Sequence, residues 1–345
     1  MTQHITKKQF YAAEENDQIA GLAALAKKSL DAYGLAGADI TKLAYRENMT
    51  FAIDAGSKGK FALRVHQSGY RTDAQVQSEL NFMEYLSGEG ILTPELIRAN
   101  NNQSFIITEH ANVPEPRQCD LFRWIDGAPL RQFFEPPSRS IEETARHYAQ
   151  AGQLTAAIYN AGEKWSIPNN FSRLDWDAAG IFGEKAHLGD FRKIKNATDR
   201  QRGLLNDLAT KLDEELTAFG KASDRYGLCQ GDLLPENLMV CADGLRVIDF
   251  DDAGNSWIMF EIATAFCDLT ESEYFQPCFS TFVNGFRELR ELPDEHIAML
   301  PTFVFARLLS YLGHTVSRNH LEIAQEGQQI LLHSLERTAP DYLAS

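Results

Sequence analysis

The chain has 345 residues, of which 44% are hydrophobic and 23% are charged, and its formal net charge at pH 7 is -15. This length predicts about two domains of ordinary size, and the composition is typical of a globular protein. The surplus of negative charge repels a phosphate backbone, and no run of Lys and Arg forms a basic stripe, so we expect no nucleic-acid partner.

The start of the chain and its hydropathy predict a cytoplasmic protein without a membrane partner. Residues 1–8 lack the apolar core of a signal peptide, and the chain has no run of about 18 consecutive apolar residues. The five cysteines show no CxxC spacing, so we expect ordinary thiols rather than a zinc or redox site. The sequence does not indicate an oligomeric state.

The first third predicts a small α+β domain. Apolar residues recur at helical spacing over 17–33, and Gly34 follows where a helix would end. A strand is predicted over 43–53 and a second over 60–65, with turn residues between them, so the two should form an antiparallel hairpin.

An amphipathic helix is predicted next, over 73–86, with Glu79 in its middle and Gly88 at its end. Further extended segments are predicted at 91–97, 104–108 and 118–124. A sheet with a helix of this kind is typical of a domain that covers a nucleotide.

The remainder of the chain is mostly helical in pattern. Helices are predicted over 141–161, 203–219 and 303–312, and the last is so apolar that it should be buried. Within this part, 238–240 and 245–248 are separated by turn residues and predict a short hairpin.

The motif Gln230-Gly-Asp-Leu-Leu-Pro-Glu-Asn237 precedes this hairpin, and Asp249 follows it in Val-Ile-Asp-Phe-Asp. The hairpin should bring Asn237 and Asp249 back towards each other, with Asp232 on the preceding loop. Phosphoryl transfer from Mg-ATP requires a carboxylate that orients a hydroxyl and accepts its proton, and oxygen ligands for Mg²⁺. The pattern therefore predicts a kinase.

Asp232-x4-Asn237 followed by Ile248-Asp249-Phe250 resembles the catalytic loop and metal-binding segment of the aminoglycoside phosphotransferase and choline kinase family, which includes homoserine-kinase-like enzymes. The similarity covers most of the chain, because residues 47–51 and 61–66 resemble the first strands of that family and residues 121–127 resemble its hinge.

The resemblance implies an α+β, bilobal protein-kinase-like fold. A small antiparallel-sheet N-terminal lobe with one main helix would cover the nucleotide and comprise residues 1–125. A mostly helical C-terminal lobe, residues 126–345, would carry the catalytic loop and the acceptor site, with the hinge at about 122–127.

The resemblance also assigns roles to five residues. Asp232 would be the catalytic carboxylate, and Asn237 and Asp249 would bind Mg²⁺. Arg64 would contact the α- and β-phosphates of ATP, where protein kinases use a lysine, and Glu79 would pair with it. The alternatives are a solvated loop aspartate, turn and strand-end polar residues, and an ordinary surface ion pair.

The nucleotide contacts are less clearly marked in the sequence. The loop 45–50 has no glycine, so backbone amides near Asn48 and the hydroxyl of Thr50 would have to cover the phosphates. The family's hinge would place adenine against the backbone of Arg123, Trp124 and Ile125. Trp124 could equally belong to the core.

The motif departs from the family at three positions. Gln230 stands where relatives usually have His, and Leu234 and Glu236 replace the usual His and Gly. Glutamine can donate and accept similar hydrogen bonds, so we expect activity to be retained. A catalytically inactive nucleotide-binding pseudokinase is the alternative.

The acceptor site leaves two alternatives. A helix face with Arg307 and His314 would favour an acceptor with a carboxylate, whereas Asp175 and Glu261 would favour an amine. Core packing or surface pairing could explain each of these residues instead. The candidates are Asp175, Trp176, Trp257, Glu261, Arg307, Tyr311, His314 and Arg318.

We therefore expect transfer of the γ-phosphoryl group of ATP to a hydroxyl of a small metabolite, which would be an amino acid, an amino alcohol, a sugar or an aminoglycoside. A protein Ser/Thr kinase of the same fold is an alternative. It is disfavoured because the chain runs from Asp249 through Gly254 and Trp257 directly into an apolar segment, which leaves little room for a protein-docking activation segment.

Overall fold

The computed structural model describes residues 4–134, 140–319 and 321–345. The chain divides into two compact units. The N-terminal unit is Met1–Asp126 with Ile167–Ser172, and the C-terminal unit is Gly127–Ser166 with Arg173–Ser345. The short segment Ile167–Ser172 was not expected in the N-terminal unit.

The N-terminal unit contains an antiparallel sheet of six strands in its described residues, in the order β1-β2-β3-β6-β4, with β5 paired to β6. Alternate residues of β2 and β3, such as Phe51 and Leu63, enter one core because successive side chains of a strand point to opposite faces. The strands are β1 (Asp39–Tyr45), β2 (Met49–Asp54), β3 (Lys60–Val65), β4 (Leu96–Ile97), β5 (Ile106–His110) and β6 (Val113–Arg123).

In the part of this unit that the structure describes, the α-helices are α1 (Lys7–Tyr11), α2 (Glu15–Ser29) and α3 (Asp73–Gly88). The helix predicted over 17–33 corresponds to α2, which buries an apolar face, with Leu22 and Leu25 in the core of the sheet. Thr72 begins α3 with a capping box to Gln75, which satisfies backbone donors of the first turn.

The hairpin between the second and third strands is confirmed, with Phe51 opposite Leu63. The prediction of a single strand over 43–53 is wrong, since the chain turns back between β1 and β2 and Tyr45 pairs with Met49. Most of β1 is exposed, so it lacks the apolar alternation that marks a half-buried strand. Most of 91–97 is also not a strand, because only β4 pairs with the sheet.

The C-terminal unit is mainly helical, as predicted, and contains two three-stranded sheets in its described residues, ordered β11-β10-β7 and β8-β12-β9. Its strands are β7 (Gly127–Pro129), β8 (Leu174–Trp176), β9 (Tyr226–Cys229), β10 (Leu238–Cys241), β11 (Gly244–Val247) and β12 (Gly254–Trp257). Its helices are α4 (Ile141–Lys164), α5 (Ala178–Phe182), α6 (Asp199–Phe219), α7 (Ile258–Phe266), α8 (Phe275–Arg287), α9 (Asp294–Ile297), α10 (Leu300–Ser317) and α11 (Glu322–Ala344).

The apolar segment predicted to be buried lies in α10, where Phe303, Leu309 and Leu312 are fully buried. Among the described residues, only the stretch Asp294–Ser317 has the length and hydropathy of a membrane span, and 56% of its most apolar window is buried within the fold. That burial is also found in the core helices of proteins that do not cross a membrane. All five cysteines are free thiols.

Candidate active site

The motif at Gln230 forms a loop in the C-terminal unit, directly after β9. Gly231 has a φ of +92°, and a Cβ at this position would lie 2.1 Å from the carbonyl oxygen of Asp252. A side chain is thus excluded by the backbone conformation and by the close approach of a second chain segment. The glycine allows Asp232 to sit next to the segment that follows Asp249.

Both carboxylate oxygens of Asp232 are held by neighbouring side chains. Oδ2 accepts a hydrogen bond from Nδ2 of Asn237 at 3.0 Å, and Oδ1 accepts one from Nη2 of Arg307. Nδ2 of Asn237 also donates to the Asp232 carbonyl at 2.9 Å. The Asp232 side chain is 21% exposed, so it is fixed in orientation and still accessible to a small molecule.

Gln230 connects this loop to the predicted metal-binding segment. Its Oε1 accepts a hydrogen bond from the Asp232 backbone N–H at 2.8 Å. Its Nε2 donates to the carbonyl oxygens of Ile248 at 3.1 Å and Asp249 at 2.5 Å. The buried amide therefore accepts and donates at the same time, as was expected of a glutamine in place of histidine.

The short hairpin is confirmed as β10 and β11, with Leu238 opposite Val247. Beyond it, the Ile248 N–H donates to the Asn237 carbonyl at 2.9 Å, so the chain after the hairpin returns beside Asn237. Asp249 follows with a φ of 59°, in the left-handed region that is uncommon for residues other than glycine. The bond from Gln230 to its carbonyl helps to hold this conformation.

The side chains of Asn237 and Asp249 fit a hard divalent cation. Because Nδ2 of Asn237 donates to Asp232, its amide oxygen is the atom that can serve as a ligand, together with the Asp249 carboxylate. Across residues 4–134, 140–319 and 321–345, no group of three or more His, Cys, Asp or Glu side chains could form a closed metal site. Phosphate oxygens and water would complete the coordination, as Mg²⁺ commonly requires.

Glu261, on α7, supports the loop from its buried side. Both of its carboxylate oxygens lie 3.2 Å from the Gly231 backbone nitrogen. Burial raises the pKa of Glu261 to about 7; the Gly231 N–H opposes this rise, and the nearby Asp232 adds to it. Its position within the protein therefore does not fit the acidic acceptor lining that the sequence suggested, and it supports the loop instead.

Of the other acceptor candidates, which lie in the sheet β8-β12-β9, two are buried in the core and one is exposed at the surface. Trp257 is buried and donates from Nε1 to the Gly220 carbonyl at 2.7 Å, and Trp176 is buried and donates to the Asp252 carbonyl at 2.7 Å. The core alternative therefore holds for both tryptophans. Asp175 is exposed and accepts from Nδ2 of Asn255 at 3.0 Å.

Of the basic residues predicted on one face of α10, Arg307 contacts the loop that carries Asp232. Arg307 is 1% exposed, and its guanidinium stacks 4.4 Å from the centre of the Tyr311 ring and 5.5 Å from that of Phe260. It is buried against Asp232 rather than projecting from the surface. His314 lies near the end of α10 and Arg318 directly after it, and partial burial lowers the pKa of Arg318.

A second group of predicted residues lies in the N-terminal unit. Nη2 of Arg64 lies 2.7 Å from Oε1 of Glu79 and 2.7 Å from Oδ2 of Asp120, while Nε donates to Oδ1 of Asp120 at 3.1 Å. Glu79 and Asp120 are 0% exposed and Arg64 is 8% exposed. The predicted pairing of Arg64 with Glu79 is present, and it is buried rather than a surface pair.

Asp120 and His66 were not predicted from the sequence as part of this group. Nε2 of His66 lies 2.9 Å from Oδ2 of Asp120. Burial would raise the pKa of Asp120, but the Arg64 guanidinium and His66 outweigh it and hold that pKa well below its usual range. A carboxylate within the otherwise largely apolar strand 118–124 was the available signal, because such a group needs a buried partner.

The remaining nucleotide candidates lie in β2 and at the end of β6. Thr50 is opposite Arg64 in the β2–β3 register, and Oδ1 of Asn48 accepts from the Gln67 N–H at 3.1 Å. Arg123 is exposed and bonds Glu95 at 3.2 Å. Trp124 and Ile125, which follow it, are each only partly buried, so Trp124 is not a core tryptophan.

Arg173, which the sequence analysis did not select, holds the segment after Asp249. Its guanidinium donates to the carbonyl of Phe250 at 3.2 Å, to that of Ala253 at 2.6 Å and also to that of Asp251. The strand β12 begins at Gly254, directly after this segment. The connection is short and held by hydrogen bonds, which differs from a long protein-docking segment.

An antiparallel-sheet unit with a buried Arg–Glu pair and a helical unit with an Asp-x4-Asn loop have the architecture of the protein-kinase-like fold. Residues 40–295, which are more than half of the chain, match the phosphotransferase enzyme family. The chain belongs to this family, and it is a kinase that acts on a hydroxyl group of a small molecule. The family resemblance inferred from the motifs is confirmed.

Three relatives illustrate the range of similarity. The structure of the microcompartment-associated aminopropanol kinase has 27% identity and a TM-score of 0.82, and the match covers 93% of this chain and 98% of that one. Amicoumacin kinase of Bacillus subtilis is 19% identical over 294 residues, 81% of each chain. Homoserine kinase of Rhizobium rhizogenes is 25% identical over 229 residues, 65% of this chain and 63% of the relative.

Proposed function

We propose that this kinase transfers the γ-phosphoryl group of Mg-ATP to the hydroxyl of a small amino alcohol or hydroxy amino acid. The observation that carries the proposal is the fixed carboxylate of Asp232, which is accessible and held at both oxygens beside Asn237. Such a group can orient a hydroxyl for in-line attack, and positioning is most of what phosphoryl transfer requires of a protein.

In this proposal Asp232 binds the acceptor hydroxyl and receives its proton at a carboxylate oxygen. Arg307 and Asn237 restrict its rotation, so the hydroxyl is presented in one direction. Positioning matters more here than a strongly basic carboxylate, because the transition state is loose and requires little covalent chemistry from the protein. Arg64 would contact the phosphates, and Asn237 and Asp249 would hold the Mg²⁺ that neutralises part of their charge when Mg-ATP is bound.

The relatives support the choice of acceptor. Two of the relatives are named as kinases of aminopropanol and homoserine, and both of these compounds carry an amino group and a hydroxyl. The short, hydrogen-bonded connection from Asp249 to Gly254 does not favour a protein acceptor. The retained bonds of Gln230 support a working loop rather than a pseudokinase. A cytoplasmic location, without nucleic-acid or membrane partners, remains part of the proposal.

The test is ATP consumption by the purified chain with a matched acceptor panel. Aminopropanol, ethanolamine, homoserine and choline would be compared with propanol and 1,2-propanediol, which keep the hydroxyl but lack the nitrogen. We expect turnover with at least one nitrogen-containing acceptor and little with the two controls, and none with an Asp232→Asn variant. Equal turnover of propanediol and aminopropanol would reject the acceptor class, and ATP consumption unchanged by Asp232→Asn would reject the site.

A further inference from the structure

The N-terminal unit contains a cavity beside the start of α3. Its volume is about 220 Å³, and its wall is formed by the segment between β3 and α3 together with parts of β5 and β6. Pockets that enclose drug-sized ligands have volumes of roughly 300–1,000 Å³. The size of the cavity therefore suits an inorganic ion or one end of a small metabolite.

Two nitrogen-bearing side chains in this wall are almost completely buried. Arg117 is 4% exposed and His66 is 1% exposed. Nη1 of Arg117 donates to the His66 carbonyl at 3.4 Å. Nη2 of Arg117 donates to the Tyr11 hydroxyl at 2.9 Å and pairs with Glu115 at 3.3 Å. In the part of the chain that the structure describes, Nε of Arg117 and Nδ1 of His66 have no hydrogen-bond partner. Such buried polar atoms are uncommon in folded proteins, and a bound ion is one of their ordinary explanations.

The bond of His66 to Asp120 limits what its other ring nitrogen can bind. Nε2 of His66 lies 2.9 Å from Oδ2 of Asp120, whose pKa is held well below its usual range. An ionised carboxylate only accepts, so Nε2 carries the proton and Nδ1 accepts from a ligand O–H, or donates when the ring is protonated. A phosphate group can do either near neutral pH, because its second pKa is about 6 and it has both O–H and acceptor oxygens. An ionised carboxylate ligand could only accept.

The surrounding charges also favour an anion. The N-cap Thr72 and the first helical residue Asp73 line the cavity, so the partly positive N-terminal end of α3 faces it. Arg71, which is 8% exposed, is a second arginine in the wall. Asp73 opposes an anion, and its carboxylate accepts from Nε2 of Gln118 at 2.6 Å. Among the described residues the wall thus has two guanidinium groups and a helix N-terminus against one carboxylate.

We propose that this cavity binds a phosphate group, either as inorganic phosphate or as the phosphate of a small monoester, through Arg117, His66 and the N-terminal end of α3. All of these groups belong to the N-terminal unit. None of them is a proposed contact of ATP or of the acceptor, so the inference does not rest on the proposed function.

The test is phosphate binding by the purified chain without Mg²⁺ or nucleotide, measured by calorimetry and thermal unfolding. Inorganic phosphate is compared with chloride at equal ionic strength, and with O-phosphoethanolamine. We expect saturable stabilisation by phosphate, since a ligand of the folded state raises the unfolding temperature by mass action. Arg117→Met should weaken binding by about tenfold or more, because a charge-assisted hydrogen bond is lost. Tighter binding of O-phosphoethanolamine would identify a monoester as the ligand, and tighter binding of inorganic phosphate would identify the free ion.

Two controls and a second pair of variants accompany Arg117→Met. Arg98→Met removes a partly exposed arginine that pairs with Glu84 in the same unit, and it should leave phosphate binding unchanged. Asp249→Ala alters the proposed metal site in the other unit and should also bind phosphate normally. Ser68 is a partly buried residue of the cavity wall. Ser68→Glu should abolish phosphate binding by charge repulsion, whereas Ser68→Gln, which has the same size, should retain part of it.

Three outcomes would overturn the inference. One is phosphate that stabilises the protein no more than chloride does, or equally well in Arg117→Met. Equal phosphate affinity in the two Ser68 variants is another, and it decides the question if Arg117→Met does not fold. A third is binding that is lost in Asp249→Ala and retained in Arg117→Met, which would assign the phosphate to the proposed nucleotide site and leave the proposed function standing.

Discussion

Gln230 has a buried side-chain amide that both accepts and donates hydrogen bonds. It accepts from the Asp232 N–H and donates to the carbonyls of Ile248 and Asp249. These three backbone groups belong to two segments that must stay together if Asp232 and Asp249 are to act on one substrate. An amide suits this position because it needs no particular protonation state.

Gln230→Leu should lower kcat strongly and destabilise the protein. The substitution leaves a buried N–H and two buried carbonyls without this partner, at a cost of about 1–3 kcal/mol for each group that stays unsatisfied. Gln230→His, which keeps a side chain able to donate and accept hydrogen bonds, should retain much of the activity. Steady-state kinetics and urea unfolding of both variants test this, and equal losses in the two would show that hydrogen bonding is not what position 230 provides.

Asp232→Ala should remove turnover while leaving nucleotide binding largely intact. The reason is that Asp232 acts on the acceptor hydroxyl, whereas the proposed nucleotide contacts are made by other residues. Acceptor-dependent ATP consumption and Mg-ADP calorimetry measure the two effects separately. A fully active variant would disprove the catalytic role, and complete loss of Mg-ADP binding would show that Asp232 holds the nucleotide instead.

Glu261→Gln should change how stability depends on pH. Burial raises the pKa of Glu261 to about 7, so the folded state binds its proton more tightly than the unfolded state, where the pKa is near 4.5. The stability from this proton is complete below pH 4.5 and is lost as the pH rises through about 7. Glutamine keeps an acceptor for Gly231 but does not titrate.

Urea unfolding between pH 4.5 and 8 measures this effect. The Glu261→Gln variant should gain stability relative to the unaltered protein as the pH rises across that window. Glu214→Gln, on the exposed side of α6, is the control and should run parallel to the unaltered protein. A constant difference between Glu261→Gln and the unaltered protein at every pH would contradict the raised pKa.

At the scale of elements, the hairpin β10–β11 and the helix α10 assemble the site from distant parts of the chain. Because β10 and β11 pair directly after a short turn, the hairpin brings the chain back beside Asn237 within a few residues. The helix brings Arg307 to Asp232 across 75 positions of sequence. The local sequence pattern predicted the hairpin, whereas the contact of Arg307 with Asp232 depends on tertiary packing.

Arg307→Met should lower kcat by about tenfold or more while KM for ATP stays nearly constant, because the change frees one oxygen of Asp232 without touching the proposed nucleotide contacts. Arg307→Lys should recover part of the loss, since a lysine keeps the positive charge but lacks the planar set of guanidinium N–H donors. Arg146→Gln, at an exposed pair on α4, is the control for removing an arginine. A variant that changes KM for the acceptor alone would assign Arg307 to acceptor binding.

At the scale of the whole molecule, each unit contributes one part of the proposed machinery. The N-terminal unit holds Arg64 in a buried network of carboxylates, and the C-terminal unit holds Asp232 and the proposed metal ligands around the hairpin. In the proposed function, a metal ion held by Asn237 and Asp249 would be shared with the phosphates of the nucleotide. Turnover should therefore depend on a divalent metal ion.

Removal of divalent ions should abolish turnover, and added Mg²⁺ should restore it. Thermal stabilisation by ADP should also increase with Mg²⁺, since a bound ligand stabilises the folded state by mass action. Asp249→Ala should lose most of that Mg²⁺-dependent increase, whereas an exposed control, Asp243→Ala, should keep it. Full turnover in excess chelator, or an unchanged Mg²⁺ effect in Asp249→Ala, would remove Asp249 from the metal site.

The fold class, the family and the core of the motif could be predicted from the amino-acid sequence alone. Helical periodicity, the β10–β11 hairpin and the spacing of Asp232, Asn237 and Asp249 are local properties, because they depend on residues that are close in the chain. The segment 43–53 was misjudged because β1 is exposed and lacks a repeating apolar pattern. The ability of Gln230 to donate and accept hydrogen bonds was also predicted from its amide, whereas its partners were not.

Which charged groups are buried, and which residues they pair with, depends on tertiary packing and could not be predicted from the sequence. Asp120 meets Arg64 through strand register, Arg307 meets Asp232 through helix packing, and Glu261 accepts from Gly231 behind the loop. A buried charge requires a partner, but a sequence does not specify which of many distant residues will supply it. Folding makes that choice, because packing and pairing fix the distances on which electrostatic interactions depend.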